Sequence, residues 1–167
     1  MIIDQNVVGW FQGRMEWGPR ALGNRSILAD PRNEKMKDIL NEKIKHRESF
    51  RPFAPTILEE YCSEYFDLNV PSPYMLLVAK VKKPEKIPAV THVDGTGRVQ
   101  TVSKNSNPLY YNLINEFYNK TGVPVLINTS MNVRGEPIVN TPKQTFSMLL
   151  KTDMDALVMG NYLITKG

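Results

Sequence analysis

Apolar residues fall in short runs along this chain, separated by polar stretches rich in glycine, proline and arginine. Val7-Val8-Gly9-Trp10-Phe11 and Ser26-Ile27-Leu28-Ala29 have strand length, as do residues 54–58 and Pro124-Val125-Leu126-Ile127. Residues 74–81 are almost continuously apolar, which predicts a core strand covered on both faces. Asp94-Gly95-Thr96-Gly97 supplies a tight turn into Arg98-Val99-Gln100-Thr101-Val102, whose alternation puts Arg98 and Gln100 on one face of a strand. Ala156-Leu157-Val158-Met159 begins a last strand, continued by Tyr162-Leu163-Ile164 past a bulge at Gly160.

Helical signals interleave with these runs. Asp30-Pro31 predicts a helix start, the carboxylate capping free N–H groups, and Met36, Ile39, Leu40 and Ile44 then share one face. A short helical piece is expected over 59–66. Asn107-Pro108 opens a helix that buries Leu109, Leu113, Ile114 and Phe117 and stops at Gly122. Thr141-Pro142-Lys143-Gln144 is a capping box for a helix running through Phe146, Leu149 and Leu150. Strands and helices alternate loosely, which predicts the α/β class or mixed α+β.

Three polar stretches stand out between these elements. The first, Gly13-Arg14-Met15-Glu16-Trp17-Gly18-Pro19-Arg20-Ala21-Leu22-Gly23-Asn24-Arg25-Ser26, reads as a shaped basic loop, because glycine and proline interrupt helix and strand alike. Guanidinium groups on such a backbone suit phosphate or carboxylate; a solvated surface loop fits the composition equally well. The second is Lys45-His46-Arg47-Glu48-Ser49-Phe50-Arg51-Pro52-Phe53-Ala54-Pro55. Lys45 and Arg47 share a face only on an extended chain, so the preceding helix must end before Lys45 if they act together; a basic helix end is the plain alternative. The third, Asn128-Thr129-Ser130-Met131-Asn132-Val133-Arg134-Gly135-Glu136-Pro137, follows an apolar strand, where open α/β sheets place ligand contacts and where ordinary turn residues also gather.

Composition narrows the chemistry. Apolar content of 41% and charged content of 23% fit a folded domain, and a net charge of +4 admits an anionic partner without implying nucleic acid. Cys62 is the single cysteine and His46 and His92 the two histidines, which excludes an internal disulfide and a structural zinc site. No run reaches membrane-spanning length and no targeting signal is seen, so a cytoplasmic, reducing setting is expected. Phosphate-loop, dinucleotide, metalloprotease and nucleophile-elbow motifs are missing. Glu16 and Glu48, each beside an arginine, read as ion-pair partners that orient guanidinium groups, or as helpers for a nucleotide-bound magnesium ion. If the three stretches converge, they make a pocket of fixed positive charge and neutral hydrogen bonders, suited to a reacting phosphorus.

In this order, the three stretches resemble the C-terminal domain of the O-carbamoyltransferases that decorate nodulation factors and antibiotics, and the likeness covers almost the whole chain. The resemblance implies one domain over 1–167 with a YrdC-like fold, a mixed twisted sheet flanked by helices. It implies a module that makes carbamoyl-adenylate from carbamoyl phosphate and ATP, with magnesium (Mg2+), and passes the carbamoyl group to an N-terminal domain of the actin-like superfold, in cis or in trans. That N-terminal half, with its iron-binding histidines, is not contained in this sequence, so complete transfer is not expected of the chain alone.

The K-x-R and S-x-N elements of YrdC-like domains map onto Lys45-His46-Arg47 and Ser130-Met131-Asn132. By resemblance, Lys45, Arg47, Ser130 and Asn132 are therefore the candidate catalytic residues. Lys45 and Arg47 are assigned to phosphate charge, Arg51 and Arg98 to carbamoyl phosphate or the α-phosphate, and Ser130 and Asn132 to the adenylate. Arg20, Arg25, Asn128 and Thr129 complete the substrate-binding set, and no resident metal site is expected. Two alternatives stand beside this one: threonylcarbamoyl-adenylate synthesis, which shares the YrdC-like core, and a non-catalytic nucleotide- or RNA-binding module. A membrane or nucleic-acid partner is not expected.

Overall fold

The apolar runs assemble into one mixed sheet in the computed structural model, which describes residues 1–48 and 50–166. Its strands are β1 (Val8–Phe11), β2 (Arg25–Ala29), β3 (Ala54–Leu58), β4 (Leu77–Lys80), β5 (Thr96–Val102), β6 (Val125–Ser130), β7 (Ala156–Met159) and β8 (Tyr162–Thr165). They lie in the order β4-β5-β3-β6-β2-β1-β7-β8, with β1/β7 and β3/β5 parallel and the other neighbours antiparallel. The mixed α/β class expected from the alternation is the one observed. Ser49 of the second polar stretch lies outside the described residues.

Helices α1 (Met36–Leu40), α2 (Cys62–Tyr65), α3 (Pro108–Thr121) and α4 (Pro142–Lys151) complete the fold. Ile27, Leu28, Met36, Leu40, Ile57, Ile114 and Leu126 are fully buried, each such side chain contributing about 1.5–3 kcal/mol. α4 starts on the expected capping box, with the Thr141 and Gln144 side chains each bonding the other's backbone N–H. α3 is capped by Asn107 and stopped by Gly122 at φ +72°, as expected, but its buried face is Tyr110, Ile114 and Phe117, and Leu109 faces solvent. None of the described helices is long and apolar enough to cross a membrane.

Four local expectations change. Asp30 caps no helix: its buried carboxylate accepts from the Arg32 backbone N–H at 2.9 Å and from the Arg32 guanidinium at 2.6 Å, and α1 begins only at Met36. A charge-assisted bond to a close guanidinium outcompetes a helix N-terminus. Residues 74–81 do not form a core strand, because β4 pairs with β5 alone at the sheet edge and leaves Leu76 72% and Val78 59% exposed. Gly160 is not a bulge: with Met159 opposite Tyr162 and φ +58° at Gly160, it turns β7 back on β8 as a hairpin. Finally, Asn128, Thr129 and Ser130 belong to central strand β6, paired with Leu28, Ile27 and Ser26, and not to a loop beyond it.

Candidate functional site

The basic loop over 12–24 is held from inside. The Glu16 carboxylate accepts the backbone N–H groups of Leu22 at 2.9 Å, Asn24 at 3.1 Å and Arg25 at 3.2 Å, so it anchors backbone, not a guanidinium. Burial pushes its carboxyl up from the usual range, against the pull of those three N–H groups. Gly23 sits at φ +113°, and a Cβ there would lie 2.2 Å from a ring carbon of Tyr110, so only glycine lets the loop close onto α3. Arg25, 3% exposed, donates to the carbonyls of Gln12 (2.6 Å), Asn24 (2.9 Å), Gly13 (3.1 Å) and Asn140 (3.4 Å), with its guanidinium 3.7 Å from the Phe11 ring centroid. Only its Nε lacks a partner. Arg25, expected among the substrate-binding residues, is thus occupied in tying loop to sheet and lies outside the recess described below.

The second stretch also departs from expectation. α1 runs on into a wider turn, Asn41–Lys45, closed by the His46 N–H bonding the Asn41 carbonyl at 2.7 Å, and the helical path ends on Lys45 instead of before it. His46 reverses the chain at φ +45°, a left-handed conformation costly for a non-glycine residue. Lys45 and Arg47 consequently diverge. Lys45 is 5% exposed, and its Nζ donates to the Ser130 carbonyl at 2.5 Å and to the Asn132 carbonyl and Oδ1, both at 2.9 Å. Ser130 Oγ donates to the same Asn132 Oδ1 at 2.7 Å. Burial and the nearby Arg47 guanidinium push the Lys45 ammonium down to about 7, while the three oxygens help to hold its protons. The K-x-R and S-x-N elements therefore interlock, with Lys45 clamping Ser130 and Asn132. Neither Lys45 nor Asn132 lines the recess described below.

The recess itself is a cavity of about 70 Å³ lined by Arg20, Arg47, Arg98, Asn128, Thr129 and Ser130, with Phe53 and Met75. It adjoins a cleft of about 460 Å³ that shares Arg20, Arg47, Phe53 and Arg98 and reaches Arg51, Val78 and His92. The Arg47 guanidinium lies 4.5 Å from the Phe53 ring centroid and makes one long bond to the Pro52 carbonyl, 3.4 Å. Among the described residues, Arg20 and Arg98 make no hydrogen bond at all, and the buried Nε groups of Arg47 and Arg98 have no acceptor. Burial lowers both pKa values, further depressed for Arg47 by Arg51 and Arg98 and for Arg98 by Arg20. Burial also lowers His92. Arg51 and Arg134 pair with Glu48 at 3.7 and 3.4 Å, the guanidinium-orienting role expected of that carboxylate.

No carboxylate lines the recess or the cleft among the described residues. Half-buried guanidinium groups with no carboxylate beside them have the chemistry to take phosphate or carboxylate oxygens. Phe53, Met75 and His92 went unflagged in the sequence. Phe53 carried a signal, an aromatic ring beside Pro52 in an arginine-rich stretch; His92 and Met75 carried none.

The family model described as carbamoyltransferase C-terminus matches residues 1–166. The chain belongs to this family. It is 52% identical to the nodulation protein NolNO of Sinorhizobium fredii over 99% of this chain and 25% of that protein. It is 48% identical to the 3'-hydroxymethylcephem-O-carbamoyltransferase of Amycolatopsis lactamdurans over 80% of this chain and 26% of that protein. The domain thus spans about a quarter of the length of these curated relatives. Its fold is shared with T. kodakarensis HypF, at a TM-score of 0.60 and 18% identity over 98% of this chain and 19% of that one. A full-length HypF in a phosphate- and nucleotide-bound form gives a TM-score of 0.59 at 17% identity, over 91% of this chain and 19% of that one. The YrdC-like mixed sheet implied by the resemblance is the fold of the domain.

Proposed function

We propose that this domain activates a carbamoyl group by adenylation. Water cleaves carbamoyl phosphate to carbamate and phosphate; a carbamate oxygen then attacks the α-phosphorus of ATP, and the new P–O bond forms as the bond to pyrophosphate breaks. Carbamoyl-adenylate and pyrophosphate result. The supporting observation is the gathering of Arg20, Arg47 and Arg98 on one recess with guanidinium N–H groups left without acceptors. In phosphoryl transfer the protein's main task is to position oxygens and neutralise charge, and fixed guanidinium groups do both.

In this scheme the inner recess takes the carbamoyl phosphate end, and the wider cleft with Arg51 takes the nucleotide phosphates. No cluster of three or more His, Cys, Asp or Glu that could hold a metal occurs among the described residues, and Glu16 and Glu48 are already engaged. In this reading magnesium arrives on the ATP phosphates, which need no all-protein cage to hold it. Lys45 acts through Ser130 and Asn132 instead of touching phosphate. The carbamoyl group then passes to an actin-like N-terminal domain, in cis or in trans, within the cytoplasm.

Carbamoyl phosphate-dependent exchange of labelled pyrophosphate into ATP tests the proposal. The full-length protein should show it, and Arg98→Leu should lower it by about 100-fold or more while the fold is retained. No exchange with saturating substrates and magnesium would overturn the assignment.

A further inference from the structure

We infer that Asn128 reads the carbamoyl N–H: its Oδ1 is the acceptor that makes the inner recess select an acyl phosphate bearing an NH2 group over one that lacks it. This rests on the carbamoyl adenylation reading and names the group that gives it specificity.

Asn128 is 1% exposed, in the middle of the sheet on β6, and lines the recess. Its Nδ2 donates to the Ala21 carbonyl at 3.1 Å and to Gln100 Oε1 at 2.7 Å, and Gln100 Nε2 donates to the Leu22 carbonyl at 2.8 Å. Backbone carbonyls only accept, so Ala21 and Leu22 fix the orientation of both amides: flipping either would set oxygen against oxygen. Both Nδ2 hydrogens are then used, and Oδ1 is left buried with no donor among the described residues. A buried polar atom without a partner is costly, and a native structure seldom keeps one without a reason.

Ser130 adds to the same wall. Its hydroxyl proton is committed to Asn132 Oδ1, so its oxygen presents lone pairs to any group nearby. The recess therefore combines acceptors on Asn128 and Ser130 with guanidinium donors on Arg20, Arg47 and Arg98. A ligand that satisfies both has anionic oxygens and an N–H on one small group. Carbamoyl phosphate has that pattern; acetyl phosphate replaces the NH2 with a methyl of similar size and leaves the acceptors bare. The recess is small, about 70 Å³, which suits a compact acyl head with the rest of the ligand reaching toward the adjoining cleft.

The test is isothermal titration of the full-length protein with carbamoyl phosphate and with acetyl phosphate, for the wild type and for Asn128→Ala. The wild type should favour carbamoyl phosphate by about 10- to 100-fold, and Asn128→Ala should bring the ratio near one by weakening carbamoyl phosphate alone. Equal weakening of both ligands would mark Asn128 as a structural prop and overturn the inference; so would an unchanged preference, which leaves the adenylation reading standing. A wild type that binds neither acyl phosphate removes both. Since Asn128 also braces Ala21, the wild-type complex with carbamoyl phosphate gives a check without mutation. Its carbamoyl nitrogen should lie within about 3.2 Å of Asn128 Oδ1, and nitrogen placed elsewhere contradicts the assignment.

Discussion

Arg25 and Arg98 are both arginines on strands of one sheet, and their surroundings could hardly differ more. Arg25 gives its guanidinium to four backbone carbonyls and stacks on Phe11. Arg98 makes no hydrogen bond among the described residues and faces Arg20 and Arg47 across a recess. The contrast separates scaffold from site. Where the terminal guanidinium N–H groups are spent on protein carbonyls, the residue holds the fold together; where they are pooled without acceptors, the fold carries a cost that a bound anion would offset.

That division is broken most severely at Gly23. Gly23→Ala must place a methyl against Tyr110 at positive φ, and a stability loss of about 3 kcal/mol or more in urea unfolding is expected. Arg25→Met should follow at about 3 kcal/mol, because it strips donors from four carbonyls, yet its folded fraction should bind phosphate within about threefold of the wild type. Loss of binding with stability intact would place Arg25 on the wrong side of the division.

Lys45 sharpens the comparison through pH. Its folded value of about 7 lies below its ordinary 10.5, so in that interval the unfolded chain binds the extra proton and stability rises with pH. The gain is absent below about 7 and complete above about 10.5. Lys45→Met should flatten that rise in denaturation profiles taken across the window. The smallest stability effect is expected at Arg98→Leu, between no change and a gain of about 1 kcal/mol, since the leucine relieves gathered like charge.

Much of the fold was legible because its signals are local. The capping box at Thr141, the glycine stop at Gly122 and the strand-length apolar runs each specify an element from a few neighbouring residues. The 74–81 run misled because hydrophobicity alone does not distinguish an edge from a centre; that depends on which strand pairs with β5. In the candidate site, the grouping of Arg47 with Ser130 was readable from the second and third stretches, and Arg98 joined them only through the resemblance, but the separation of Lys45 from Arg47 was not readable. It follows from a widened turn and a left-handed His46, neither of which spacing announces. The fate of Arg25 depends on carbonyls as distant in sequence as that of Asn140. Asn128 entered the substrate-binding set only through the resemblance, because its amide partners, Ala21 and Gln100, come from two other parts of the chain and leave no local pattern.

The most direct measurement is thermal unfolding of the wild type and Arg98→Leu, each with and without carbamoyl phosphate. Division of scaffold from site predicts that Arg98→Leu melts at or above the wild-type temperature without ligand, and that carbamoyl phosphate raises the melting point of the wild type alone. An equal ligand-induced rise in both proteins would contradict it, as would an Arg98→Leu protein that unfolds well below the wild type.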